Sequence, residues 1–227
     1  MNADTPAIHD SRVLDATSLR KRLRDLTKQS FDSIFPGDDF DFVNGVWATQ
    51  GLLFANDLLQ LLQRDLMRQP AGRPMTFLDV GAGPGFGAAF FARLFRGGHI
   101  GPKLDVRALE LSPQWAEFYP ILHDDIPVIV GDLFGLPDSS HDIVVCSHVI
   151  EHLEPDEAIR FVRKMVGVSR ELTAVICPWK EGEQRHPSHL HSLDEDFVRE
   201  LHPTEWRVFP SLGWMHPNGC LGMIFRK

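Results

Sequence analysis

The segment Phe77-Leu78-Asp79-Val80-Gly81-Ala82-Gly83-Pro84-Gly85-Phe86-Gly87 constrains the fold more than any other stretch of the chain. An apolar strand runs directly into glycines at every second position, and a helical stretch follows. Glycine is needed where a side chain would block close backbone approach or forbid an unusual dihedral. The helix N-terminus beyond the turn presents a positive dipole end that attracts a carboxylate or phosphate.

Around this turn, short apolar strands alternate with helical stretches. Strands are expected at 76–80, 104–109, 127–130, 141–146 and 172–177, and helices at 87–95, 113–119, 155–168 and 192–201. The last helix has a capping box of Ser192 and Glu195 at its start. Two closing strands, 206–211 and 220–226, flank a Gly/Pro/Asn-rich turn and suggest an antiparallel edge. This alternation implies an α/β fold: a doubly wound, seven-stranded, Rossmann-like sheet, mostly parallel with an antiparallel last strand and helices on both faces. Before it, residues 1–12 read as a loose tail. Helical spacing covers 16–34, a turn follows at Phe35-Pro36-Gly37-Asp38-Asp39, and a stronger helix spans 46–67. Residues 1–70 are therefore expected to be N-terminal helices lying over the ligand crevice, and 71–227 a single compact domain.

The formal charge of −8 and the pI near 5.7 argue against an extended phosphate-binding surface. The basic cluster Arg20, Lys21, Arg22, Arg24 and Lys28 reads as a solvated helix face. Cys146, Cys177 and Cys220 are widely spaced with no C-x-x-C pair, which suggests neither a disulfide framework nor a cysteine zinc site. The polar opening residues and the lack of any apolar run near the ~20 residues of a membrane span point to a cytoplasmic protein, without membrane or nucleic-acid partners. A monomer or homodimer is expected.

The glycine turn by itself also fits a dinucleotide fingerprint, Gly83-x-Gly85-x-x-Ala88. The wider pattern resembles the class I S-adenosylmethionine-dependent methyltransferases. Asp79 stands two residues before the G-x-G-x-G of Gly81, Gly83 and Gly85, as in that family's first motif. Glu110 ends the second strand, where the resemblance implies a carboxylate accepting the ribose hydroxyls; a nicotinamide-binding fold would want the same acid. Asp132, just after the third strand, matches the position that accepts the adenine amino group, with Leu133 packing on the ring. Asp142-Ile143-Val144-Val145-Cys146-Ser147-His148-Val149-Ile150-Glu151-His152-Leu153 resembles the family's D-x-V-x-x-x-x-V-x-E-H-L segment. The resemblance thus implies S-adenosylmethionine as cofactor, bound by Asp79, Gly81, Ala82, Gly83, Gly85, Glu110, Leu111, Asp132, Leu133 and Ser147.

Methyl transfer is an in-line displacement, in which the protein supplies alignment, desolvation and, for a hydroxyl acceptor, a base. His186-Pro187-Ser188-His189-Leu190-His191 follows the fifth strand and resembles the P-x-H-x-H segment of bacterial small-molecule methyltransferases. His189 is the first candidate base and His148 the second. His148, Glu151 and His152 lie at i, i+3 and i+4 and share one face if the segment opens a helix. Ubiquinone-biosynthesis methyltransferases carry E-x-x-E-H there and bind a divalent metal. Two imidazoles and a carboxylate would suit zinc or iron better than magnesium; the same residues also serve simply to shape a pocket.

Phe40, Phe42, Trp47 and Phe54 are aromatics available either to core or to a planar acceptor. The expected reaction is methylation of an oxygen or nitrogen of a small molecule. A nicotinamide-dependent oxidoreductase and a non-catalytic cofactor-binding protein stand as alternatives. No N/D-P-P-[YFW] motif of nucleic-acid amino-methylation occurs.

Overall fold

The computed structural model describes residues 40–116, 125–182, 185–210 and 218–227, with side chains from Gly51 onward apart from Leu52 and Gln114. The expected tail and helix over 1–34, the turn at 35–39, the basic cluster, the end of the helix toward Tyr119, and the side chains of Phe40, Phe42 and Trp47 lie outside the described residues.

In chain order the elements are α1 (Phe40–Arg68), β1 (Pro74–Val80), α2 (Phe86–Phe95), β2 (Lys103–Glu110), α3 (Pro113–Ala116), β3 (Val128–Val130), β4 (His141–Ser147), α4 (Pro155–Val168), β5 (Ser169–Pro178), α5 (Glu195–Leu201), β6 (Glu205–Phe209) and β7 (Cys220–Arg226). Single 3₁₀ turns at Leu133–Gly135 and Ile150–His152 follow β3 and β4.

The strands form one seven-stranded sheet in the order β3-β2-β1-β4-β5-β7-β6. Strands β1 to β5 pair in parallel, and β7 pairs antiparallel with both β5 and β6. The expected doubly wound sheet is therefore present, but its antiparallel strand is not the edge. β7 inserts between β5 and β6, because its apolar run Leu221–Phe225 is buried on both faces, whereas β6 exposes Trp206, Arg207 and Val208 and tolerates the rim.

Alternate residues of the strands feed two cores. On one face Phe77, Val106, Ile143, Val145, Ala174 and Ile176 pack under α1 and α2. On the other Leu78, Val80, Val144, Cys146, Val175 and Met223 pack under α4 and α5. Residues 41–227 form one compact unit. Leu58, Leu61, Leu62 and Leu66 of α1 are core residues of that unit, although the sequence suggested a division at residue 70. All three cysteines are buried and none is in a disulfide, and burial pushes the Cys146 and Cys177 thiols well above their ordinary range. Among the described residues, no helix is long and apolar enough to cross a membrane.

Local chemistry fixes the element ends. Thr76 donates its backbone N–H and hydroxyl to Asp142 Oδ2 at 2.7 and 2.9 Å, pinning β1 to β4. Helix α4 begins with Pro155 followed by Asp156 and Glu157, a first turn suited to the helix dipole. Helix α5 is shorter than expected: Asp194, not Ser192, caps it, accepting the N–H groups of Asp196 and Phe197. A carboxylate directly before the first turn reaches both donors, so the Ser192–Glu195 capping box does not form.

Candidate functional site

The loops after β1 to β5 leave the sheet at the same edge, the usual ligand crevice of an open parallel sheet. The first is the glycine turn. Gly81, Gly83 and Gly85 take φ of 68°, 54° and 85°, a region that side-chain-bearing residues occupy only with strain. A Cβ on Gly81 would stand 2.4 Å from Val149 Cγ2, while one on Gly83 would meet nothing within 4 Å and project into open space. Gly81 thus serves close packing and Gly83 an open cradle. The N–H groups of Gly81 and Ala82 both donate to Leu109 O, at 2.9 and 3.3 Å, tying the turn to the end of β2.

Glu110 continues that tie. It is buried, and it accepts Gly83 N–H at one carboxylate oxygen and Ser112 N–H at the other, each at 2.8 Å. Asp79 lies below the turn. Burial, and then the charge of Glu110, push its carboxyl up to about 7 against the pull of the Ala88 N–H.

After β3, Asp132 accepts Phe134 N–H at 3.1 Å and caps the 3₁₀ turn. Leu133, expected to pack on a ring, is only 2% exposed and belongs to the core under α4. The 3₁₀ turn swings the next residue outward instead, so Phe134 is the apolar side chain left open beside Asp132, at 52% exposure. Leu111, 72% exposed, stands beside Glu110. Two uncovered apolar side chains next to two acids suit a planar polar heterocycle such as adenine. Ser147 adds a buried hydroxyl with no hydrogen-bond partner among the described residues. S-adenosylmethionine fits these groups: open glycine backbone, the Glu110 carboxylate, Asp132 and the orphan Ser147 Oγ.

The Ser147–Leu153 segment does not open as an α-helix. His148 takes φ 56°, and its N–H donates to Ile176 O at 2.8 Å, prolonging strand pairing. A three-residue 3₁₀ turn at Ile150–His152 follows. The expected common face of His148, Glu151 and His152 is therefore broken. His148 stacks on Phe54 of α1, ring centroids 3.6 Å apart, and its Nε2 lies 4.0 Å from Cys220 Sγ.

Glu151 is completely buried, and neither carboxylate oxygen has an aligned hydrogen-bond partner among the described residues. Burial pushes its carboxyl upward, but His148, with Nδ1 3.3 Å from Oε1, and His152 hold it below its ordinary range. The loop after β5 closes on this turn by three bonds. Leu190 N–H donates to Glu151 O at 2.8 Å; His152 Nδ1 meets Ser188 O at 3.0 Å and His191 Nδ1 meets Leu153 O at 2.9 Å. Burial lowers the His191 imidazole.

His189 is drawn into the same cluster. Its Nδ1 lies 2.6 Å from Glu181 Oε2, and both side chains are buried. Its ring meets that of His152 edge-on, with centroids 4.9 Å apart. One ligand-type atom each from Glu151, His152 and His189 falls within 4.8 Å of the others. The convergent trio therefore contains His189, where spacing alone pointed to His148. Neither Glu181 nor Phe134 stood out in the sequence. A charged residue after a strand and a phenylalanine after a leucine carry no periodic signal.

Residues 78–175 match the family model described as a methyltransferase domain. A curated relative, ajmaline N-methyltransferase of Rauvolfia serpentina, is 28% identical over 154 residues, 63% of this chain and 46% of the relative. The match thus spans about half the length of that relative. Among solved structures, magnesium protoporphyrin IX methyltransferase from Synechocystis aligns with TM-score 0.61 and 12% identity, over 92% of this chain and 98% of the other. Burkholderia thailandensis 1,6-didemethyltoxoflavin-N1-methyltransferase aligns with TM-score 0.57 and 18% identity, over 99% and 93%. Residues 78–175, which carry the glycine cradle, Glu110 and Asp132, are thus similar to a methyltransferase domain, and the fold is the one these S-adenosylmethionine-dependent methyltransferases share.

Proposed function

We propose that the protein methylates an oxygen or nitrogen of a small-molecule acceptor, with His189 as the base. The observation that carries this reading is the Glu181–His189 pair, which holds Nδ1 at 2.6 Å and leaves Nε2 for the acceptor. Bound S-adenosylmethionine supplies an electrophilic methyl group on a sulfonium. In this reading Glu110 accepts the ribose hydroxyls, Asp132 accepts the adenine amino group, and Leu111 and Phe134 flank the ring. Phe54 and His148, stacked on each other, wall the acceptor side. As the acceptor heteroatom takes the methyl group, its proton passes to His189 Nε2. The charge of −8 and the small molecules named by the relatives support a small acceptor over nucleic acid. A cytoplasmic monomer or homodimer completes the proposal.

The test is S-adenosylhomocysteine release with a panel of phenolic, hydroxyl and amine acceptors. His189→Ala should cut turnover by roughly 10²-fold or more while cofactor affinity holds. Cofactor binding without product from any acceptor class would make the chain a binding protein, and undiminished turnover in His189→Ala would remove the base.

A second reading rests on the 4.8 Å convergence of Glu151, His152 and His189. Two imidazoles and a carboxylate suit zinc or iron, and a metal on His189 Nε2 would leave no lone pair there for a proton. Metal analysis of the purified protein and activity after chelation, with and without added Zn²⁺, separate the two readings.

A further inference from the structure

We infer that Glu181 is the positioning residue for His189, fixing its ring in the Nδ1–H tautomer so that Nε2 carries the lone pair. The inference rests on His189 acting through Nε2, as proposed above.

The loop is built to turn this carboxylate inward. Glu181 lies between two left-handed positions, Lys180 at φ 45° and Gly182 at φ 61°. A non-glycine residue held there stores strain. The backbone before it is clamped on two sides, by Trp179 N–H to Gly219 O and Lys180 N–H to Leu193 O, each at 3.0 Å. The Lys180 side chain turns away to Glu195, 2.6 Å from its Oε1, so the nearest cation in sequence is engaged elsewhere. A carboxylate with only 7% exposure is costly unless a charge-assisted bond repays it. One such bond runs to the imidazole of the candidate base, 2.6 Å away.

That bond decides the ring's chemistry. An ionised carboxylate only accepts, so the imidazole must donate from Nδ1, and the other nitrogen is left as the acceptor. Meanwhile His189 N–H donates to His186 O at 2.9 Å, so backbone and side chain are fixed independently. Removing the carboxylate would leave the backbone anchor and release the tautomer.

The experiment reads the tautomer directly. In chelator-treated, ¹⁵N-histidine-labelled protein, long-range ¹H–¹⁵N correlation spectra of neutral His189, assigned by comparison with His189→Ala, should show the proton on Nδ1. In Glu181→Gln the side-chain amide can donate to Nδ1, so the proton should move to Nε2. Turnover should then fall roughly 10- to 10³-fold, with acceptor KM, cofactor affinity and Tm near wild type. Wild-type protein carrying the proton on Nε2 overturns the inference whether or not the variant folds. So does a Glu181→Gln protein that keeps both tautomer and turnover, or one whose activity falls only in step with Tm. Full turnover in His189→Ala would remove the base reading instead, while the tautomer measurement would still decide Glu181.

Discussion

The carboxylate of Glu110 accepts the backbone N–H of Gly83, 27 residues earlier in the chain, at 2.8 Å. The same carboxylate accepts Ser112 N–H at 2.8 Å, so one side chain fastens the glycine turn to the loop after β2. Glu110→Ala removes both acceptors and should weaken S-adenosylmethionine binding by about 1–3 kcal/mol, roughly 5- to 150-fold. Glu110→Gln keeps one acceptor oxygen and should lose less. Isothermal titration checks the order; equal affinity in all three proteins would mean that the crevice beside Glu110 is not the cofactor site.

Periodicity made the sheet and its helices legible because alternation and helical spacing are local properties. The glycine turn was legible because Gly81 and Gly83 answer to backbone conformation and close approach. The histidine segment misled for a tertiary reason. His148, Glu151 and His152 have helical spacing, yet strand pairing continues through His148 N–H to Ile176 O at 2.8 Å, and the helix gives way to a 3₁₀ turn. The orientations of Leu133 and Phe134 likewise depend on a 3₁₀ turn capped by Asp132, which no hydrophobic pattern encodes. Glu181 gains its partner from a residue eight positions on, through a loop path set by two left-handed residues.

Asp79 makes stability pH-dependent. Its carboxyl is pushed from near 3.8 up to about 7, by burial first and the charge of Glu110 second. The folded protein keeps that proton where the unfolded chain has lost it, so the contribution to stability is full at low pH and is lost as pH rises toward about 7. Asp79→Asn has no such proton to lose. The stability of the cofactor-free variant relative to wild type should therefore rise between about pH 4 and 7 and level off above, by up to roughly 4 kcal/mol at ~1.4 kcal/mol per pH unit. Urea unfolding across that range tests this, and a difference independent of pH would place the charge elsewhere.

Gly81→Ala and Gly83→Ala should fail differently. Both residues have positive φ, 68° and 54°, which costs alanine about 1–2 kcal/mol. Only at Gly81 does the new methyl collide, 2.4 Å from Val149 Cγ2, so Gly81→Ala should show the larger fall in Tm. At Gly83 the methyl enters open space on the side where the cofactor would lie, so cofactor affinity should fall more than stability. Thermal melts paired with titration distinguish the two, and identical profiles would remove the distinction between a packing and a cradle glycine.

Leu133 and Phe134 set the sharpest contrast, since neighbours in sequence face opposite ways. Leu133 is 2% exposed, within the core formed with α4; truncation to alanine there should cost about 2–5 kcal/mol through lost burial and the cavity left behind. Phe134 is 52% exposed, so Phe134→Ala should scarcely change Tm in the cofactor-free protein. If its ring covers the adenine, that variant should bind S-adenosylmethionine several-fold more weakly, and its Tm should gain less than wild type from added cofactor. The opposite pattern, affinity lost in Leu133→Ala alone with stability intact, would turn the 3₁₀ turn around and return the ring contact to the residue directly after Asp132.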